Sequence, residues 1–146
     1  IWSILCSRSV LDQESNNLSL FNLIEKVAFT TPKNQIEEFE KQKKEGKVLL
    51  PFNFELVSRI RKNAEESIVL DIETIIVDPK KVETGRFNKK VEVKKEIKNM
   101  RIRDRFNALP VSSVGLYEII INIKEQNEKE FLQVANIPLD VEFKTE

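Results

Sequence analysis

The chain has 146 residues, 40% of them hydrophobic and 33% charged, with 24 basic and 24 acidic side chains and no histidine. That composition suits one soluble domain, residues 1–146, with a real apolar core, and excludes a disordered or collagen-like chain. A zero net charge argues against general nucleic-acid affinity, and a single cysteine excludes an internal disulfide.

In chain order, "IWSILCSRSV" is apolar but lacks a basic leader region and a small-residue cleavage site, so it reads as the first strand. "WSILCSRSVL" and "LSLFNLIEKVAF" flank the turn-rich "DQESNN" and predict a hairpin of residues 2–11 and 18–29. Cys6 lies within the first arm and, with no histidine to activate it, is expected to be a small core residue. Glu25 interrupts the apolar face of the second arm. A local bulge turning it outward, or an ion pair with Arg8, would resolve the conflict.

Residues 34–46, "NQIEEFEKQKKEG", break the two-residue period and read either as a short surface helix ending at Gly46 or as a loop. "VLLPFNFELVSRI" then alternates clearly. Val48, Leu50, Phe52, Phe54, Leu56 and Ile60 share one face; Glu55, Val57, Arg59 and Arg61 share the other, and Pro51 predicts an edge or a bulge. "SIVLDIETIIVD" repeats the pattern with Leu70, Ile72 and Ile76 inward and Asp71 and Glu73 outward, and stops at Asp78-Pro79. Further strands are expected at 90–97, 100–106, 116–124, 131–135 and 139–143. Seven to nine short strands with one excursion predict an all-β fold, an immunoglobulin-like or C2-like antiparallel β-sandwich; the scarcity of glycine disfavours a closed barrel.

The apolar runs are broken by acids well short of a membrane span, and a reducing, cytoplasmic setting with no membrane association is expected. Tyr117, following Gly115, is expected to tie a corner through its hydroxyl. Taken together, "CSRSVLDQESNNLSLFNLIEKV", "LLPFNFELV", the Gly115-x-Tyr117 pair and "IPLDV" resemble a family of uncharacterised prokaryotic and phage-associated β-sandwich proteins. The matching positions are Asp12, Leu18 to Asn22, Glu25, Pro51, Gly115, Tyr117 and Pro138 to Val141. That resemblance implies a fold and no activity.

Charge is unevenly distributed. Residues 80–114 carry 11 Lys and Arg against 4 Asp and Glu. In "MRIRDRF", Met100, Ile102 and Phe106 should face inward, which sends Arg101, Arg103 and Arg105 outward at about 7 Å spacing. Arg59 and Arg61 alongside them would complete a five-arginine candidate site for an anion or a partner. Asp71, Glu73, Glu92 and Glu96 are the acids expected to neutralise such a row.

Asp12, Glu14, Asp78 and Asp104 lack calcium-ligand spacing, and Asp71 with Glu73 is a weak acid–base pair. No phosphate-binding loop, dinucleotide-binding glycine pattern, zinc spacing or serine-hydrolase elbow is present. No catalytic residue, metal or cofactor is therefore expected. These features point to a non-enzymatic binding or assembly module with a protein partner; the alternative is a nucleic-acid accessory protein using the arginine face.

Overall fold

A computed structural model describes residues 2–31, 41, 48–63 and 65–145. The segment 34–46 lies, Lys41 apart, outside the described residues. Nine strands follow one another: β1 (Trp2–Leu11), β2 (Leu18–Leu23), β3 (Lys26–Thr31), β4 (Val48–Arg61), β5 (Ile68–Val77), β6 (Glu83–Val93), β7 (Asn99–Val111), β8 (Gly115–Glu125) and β9 (Leu132–Thr145). They form two stacked sheets, ordered β2-β1-β4-β7 and β3-β9-β8-β5-β6. The expected all-β sandwich is the fold. Its neighbours pair antiparallel except β3 and β9, which run parallel. Among the described residues no helix is long and apolar enough to cross a membrane.

Alternation drives the two inner faces together. Leu5, Val48, Leu50, Phe54, Leu56, Ile60, Ile102 and Leu109 of one sheet meet Val27, Leu70, Ile72, Ile76, Ile119, Ile121, Leu139 and Val141 of the other. Phe54 stacks on Phe106 with ring centroids 4.9 Å apart, and Phe106 meets Phe87 of β6 edge-on at 5.0 Å. Pro51 is accommodated as its chemistry requires. The β4–β7 register shifts between Pro51 and Phe54, and β1 pairs with β4 only from Glu55 onward, so no sheet partner needs the missing proline N–H.

Three boundaries differ from expectation. The predicted second hairpin arm is two strands in different sheets, because the chain crosses over at Ile24–Glu25. Asn22 adopts a left-handed φ of 53° just before the crossing, which asparagine tolerates. Glu25 is exposed there and its carbonyl accepts the Asp140 N–H at 3.0 Å, so the outward turn and not an Arg8 ion pair resolves it. β6 begins at residue 83 rather than 90, and β9 runs unbroken through Pro138.

The corner before β8 is built as the sequence implied. The fully buried Tyr117 hydroxyl accepts the Ser112 and Ser113 N–H groups at 2.9 and 3.1 Å and donates to the Ser113 carbonyl at 2.6 Å. Ser112 in turn donates its hydroxyl to buried Asp78, which also accepts the Lys80 and Val82 N–H groups. Burial pushes the Asp78 carboxyl up, but these hydrogen bonds and the Lys80 charge outweigh it and hold it below its ordinary value. Asp78 therefore stabilises the fold above the unfolded carboxyl range, and that contribution is lost as pH falls through its lowered value. Tyr117→Phe leaves two N–H groups and one carbonyl unpaired. It is expected to lower stability by about 1–3 kcal/mol in urea denaturation without changing the fold.

Candidate functional site

The five arginines do come together. In the β4–β7 ladder Arg59 lies opposite Arg101, Val57 opposite Arg103 and Glu55 opposite Arg105, with Arg61 opposite Asn99. All project from the outer face of the first sheet, while Ile102 is buried beneath and Met100 and Phe106 are half-buried against the core. Sheet geometry thus delivers the row that the spacing implied.

The neutralising acids are not those expected. Asp71, Glu73 and Glu92 lie on β5 and β6 of the other sheet and Glu96 in the turn after β6, and among the described residues no ion pair joins any of them to the row. Asp71 sits between Lys124 at 3.8 Å and Lys90 at 3.9 Å. Glu73, almost fully buried, holds Arg86 at 2.5 Å and accepts from Asn122 at 3.2 Å. Arg86 also grips Glu83, and these bonds hold its guanidinium charged against partial burial. Asp104 lies on β7 and binds Lys89 of β6 at 2.5 Å, clasping the two sheets along that side. Among the described residues no three acids, cysteines or histidines converge as a metal site.

What covers the row is the chain itself. β1 pairs with β4 only through Cys6, opposite Glu55. Continued straight, Ser9 would lie about 10 Å further along, away from Arg103. Instead Ser9 is buried, donates its hydroxyl to Glu55, and accepts Arg103 on its hydroxyl at 3.2 Å and on its carbonyl at 3.4 Å. The second half of β1 therefore bends over the outer face, carrying β2 with it as a two-stranded arm. At the arm's tip the Asn16 carbonyl accepts Arg101 at 2.6 Å, and Asn16 is in the left-handed region with φ 57°. Arg105 meets Glu55 at 3.1 Å.

This fold-over explains why Cys6 and Val57, on an outer face, are both fully buried. Cys6 is the buried small residue expected, and it packs under the arm, outside the inter-sheet cluster. Burial, and then the nearby Glu55 charge, push its thiol above the ordinary range, outweighing an N–H bond from Arg8, so it is a poor nucleophile. Arg8 lies over the Phe21 ring at 4.6 Å on the arm's exposed side. Among the described residues no hydrogen bond or ion pair engages the guanidinium of Arg59 or Arg61. Arg101 and Arg103 thus hold the arm directly, Arg105 pairs with the Glu55 that also holds Ser9, and Arg59 and Arg61 remain for solvent or a ligand.

A second feature escaped the sequence. Leu49, Phe87, Ala108 and Pro110 line an apolar groove of about 530 Å³ where β6 meets β4 and β7, with Arg86 and Arg105 at its margins. Leu49 is 66% and Phe87 42% exposed. Apolar residues at outward positions of 48–54 and 83–93 were the available signal, but only tertiary structure places them side by side.

No protein-family model and no curated protein matches the chain. Its fold is similar to solved glycosidases. A Bacteroides uniformis β-glucuronidase aligns with TM-score 0.52 and 15% identity, covering 65% of this chain and 12% of that one. A β-glucuronidase from glycoside hydrolase family 2 aligns with TM-score 0.51 and 18% identity, over 66% and 11%. A glycosyl hydrolase family 2 member from Bacteroides cellulosilyticus gives 0.50 and 12%, over 65% and 14%. The likeness is to the β-sandwich domains of those longer chains and shows a shared architecture.

Proposed function

We propose that this chain is a non-enzymatic binding or assembly module whose partner is a protein segment of mixed apolar and acidic character. The observation that carries the reading is the Leu49–Phe87–Pro110 groove. It is an exposed apolar surface beside β6, the end strand of its sheet among the described residues, and Arg105 at its margin keeps its terminal nitrogens unbonded. The absence of histidine, and the engagement of Asp71 and Glu73 by lysines and Arg86, favour binding over catalysis. The likeness to glycosidases covers about 12% of their length and concerns the fold alone.

The nucleic-acid reading is weaker, because Arg101 and Arg103 are held under the arm and Arg105 is paired with Glu55, which leaves Arg59 and Arg61 as the side chains of the row without an internal bond among the described residues. Crosslinked capture from the native cells tests the two readings. A protein partner should be lost with a Leu49→Asp/Phe87→Asp double variant of unchanged melting temperature and kept with Arg59→Gln/Arg61→Gln. Partner capture indifferent to the groove, with single-stranded DNA retention lost in the arginine variant, would overturn the proposal.

A further inference from the structure

The arm tip does not lie flat on the sheet. A hollow of about 470 Å³ opens between the tip and the β4–β7 pair, walled by Arg59 and Arg101 on the sheet side and by Ser15, Asn16 and Asn17 on the arm. A second hollow of similar size lies on the other side of Arg101, toward Leu11 and Ile97. The tip therefore spans an open space, with the Arg101–Asn16 bond as its strut.

Arg59 and Arg101 are direct cross-strand neighbours. Like charges in that position repel, and folded sheets ordinarily relieve them with an intervening acid. Here none is supplied: among the described residues Arg59 has no ion pair, and Arg101 spends one N–H on a neutral carbonyl. Among the described residues the two guanidinium groups are unneutralised, and they face a hollow rimmed by amide and hydroxyl groups with Leu18 and Leu20 as its apolar lining. A few convergent polar groups over apolar lining is the usual make-up of a small-ligand site, and paired guanidiniums suit a carboxylate or phosphate head.

We infer that this hollow binds a small organic anion, with its carboxylate or phosphate head between Arg59 and Arg101 and an apolar body against Leu18 and Leu20. The anion supplies the negative charge that none of the described residues brings there, and bridges the arm to the sheet. The site is separate from the β6–β7 groove, so either can fail without the other.

Isothermal titration calorimetry with phenyl phosphate and with phenylacetate, at chloride-matched ionic strength, tests it and separates the two head groups. At least one probe should bind at one site per chain. Arg59→Gln, which breaks no internal bond, should weaken binding about tenfold. Arg61→Gln, outside the hollow, should leave it unchanged. Failure of both probes to bind would overturn the inference, and so would equal weakening by Arg59→Gln and Arg61→Gln, which marks mere charge screening. Arg101→Gln adds a second check. It should weaken the same probe, and unchanged affinity in that variant, with its fold confirmed by circular dichroism, counts against the site.

Discussion

Lys62→Met is expected to lower stability by roughly 3–5 kcal/mol, the largest effect of any single change outside the apolar core. Lys62 follows β4 and is only 5% exposed. Its ammonium donates to the Glu66 carbonyl at 2.9 Å, the Lys94 carbonyl at 2.7 Å and the Lys95 carbonyl at 3.3 Å. Its own N–H donates to the Lys98 carbonyl at 2.7 Å. One side chain thus closes the end of the sandwich, joining the turn after β4 to the turn between β6 and β7. Methionine fills the volume but strands up to three carbonyls, each costing about 1–3 kcal/mol when buried without a donor. Arginine should not rescue it, because a planar fork cannot reproduce three diverging donors. Equilibrium urea unfolding measures the loss, and a change below about 1 kcal/mol would show that water satisfies those carbonyls instead.

Glu55→Ala is the second large effect, expected to cost about 2–3 kcal/mol, the scale of hydrogen bonds to a charged group. Its carboxylate is buried and takes both the Ser9 hydroxyl and the Arg105 guanidinium. Removal leaves the arm held by Arg103 at Ser9 and Arg101 at Asn16 alone. The arm should loosen while the sandwich survives, because the inner faces do not use Glu55. Denaturant titration should therefore show a reduced midpoint with the β-sheet circular dichroism spectrum retained. An unchanged midpoint would mean that the two arginine contacts suffice.

The parts of the fold legible in the sequence are those where burial is one-sided. β4 and β8 declare themselves because Val48, Leu50, Phe54 and Leu56, and Tyr117, Ile119 and Ile121, are buried on alternate positions. The Tyr117 tie was readable from its place after Gly115, whose φ of 131° and contact with Pro79 admit only glycine. β6 was shortened because this edge strand buries only Thr84 and Val93 and shows little hydrophobic alternation. The β2–β3 crossover was invisible because Phe21, Leu23, Val27 and Phe29 keep one period through a change of sheet.

The arginine row was legible as geometry and illegible as chemistry. Its spacing placed the guanidiniums on one face, but its partners turned out to be the Ser9 and Asn16 backbone and the co-facial Glu55, not acids of the other sheet. Val57 and Cys6, apolar at outward positions, were the trace of a cover over that face. A sheet pattern assumes one wet side, and here a folded-over hairpin makes both sides partly dry.

Whether the arginines serve chiefly to hold that hairpin is tested most directly at Cys6, the lone thiol beneath it. Its labelling by a small uncharged thiol reagent should be slow in the native protein. In an Arg101→Gln/Arg103→Gln/Arg105→Gln variant, labelling should accelerate at least about tenfold while the sheet spectrum is unchanged, as expected of local opening below global unfolding. Labelling as slow as in the wild type, with the variant fully folded, would contradict the arm's dependence on the row and return those arginines to the role of a free anion-binding face.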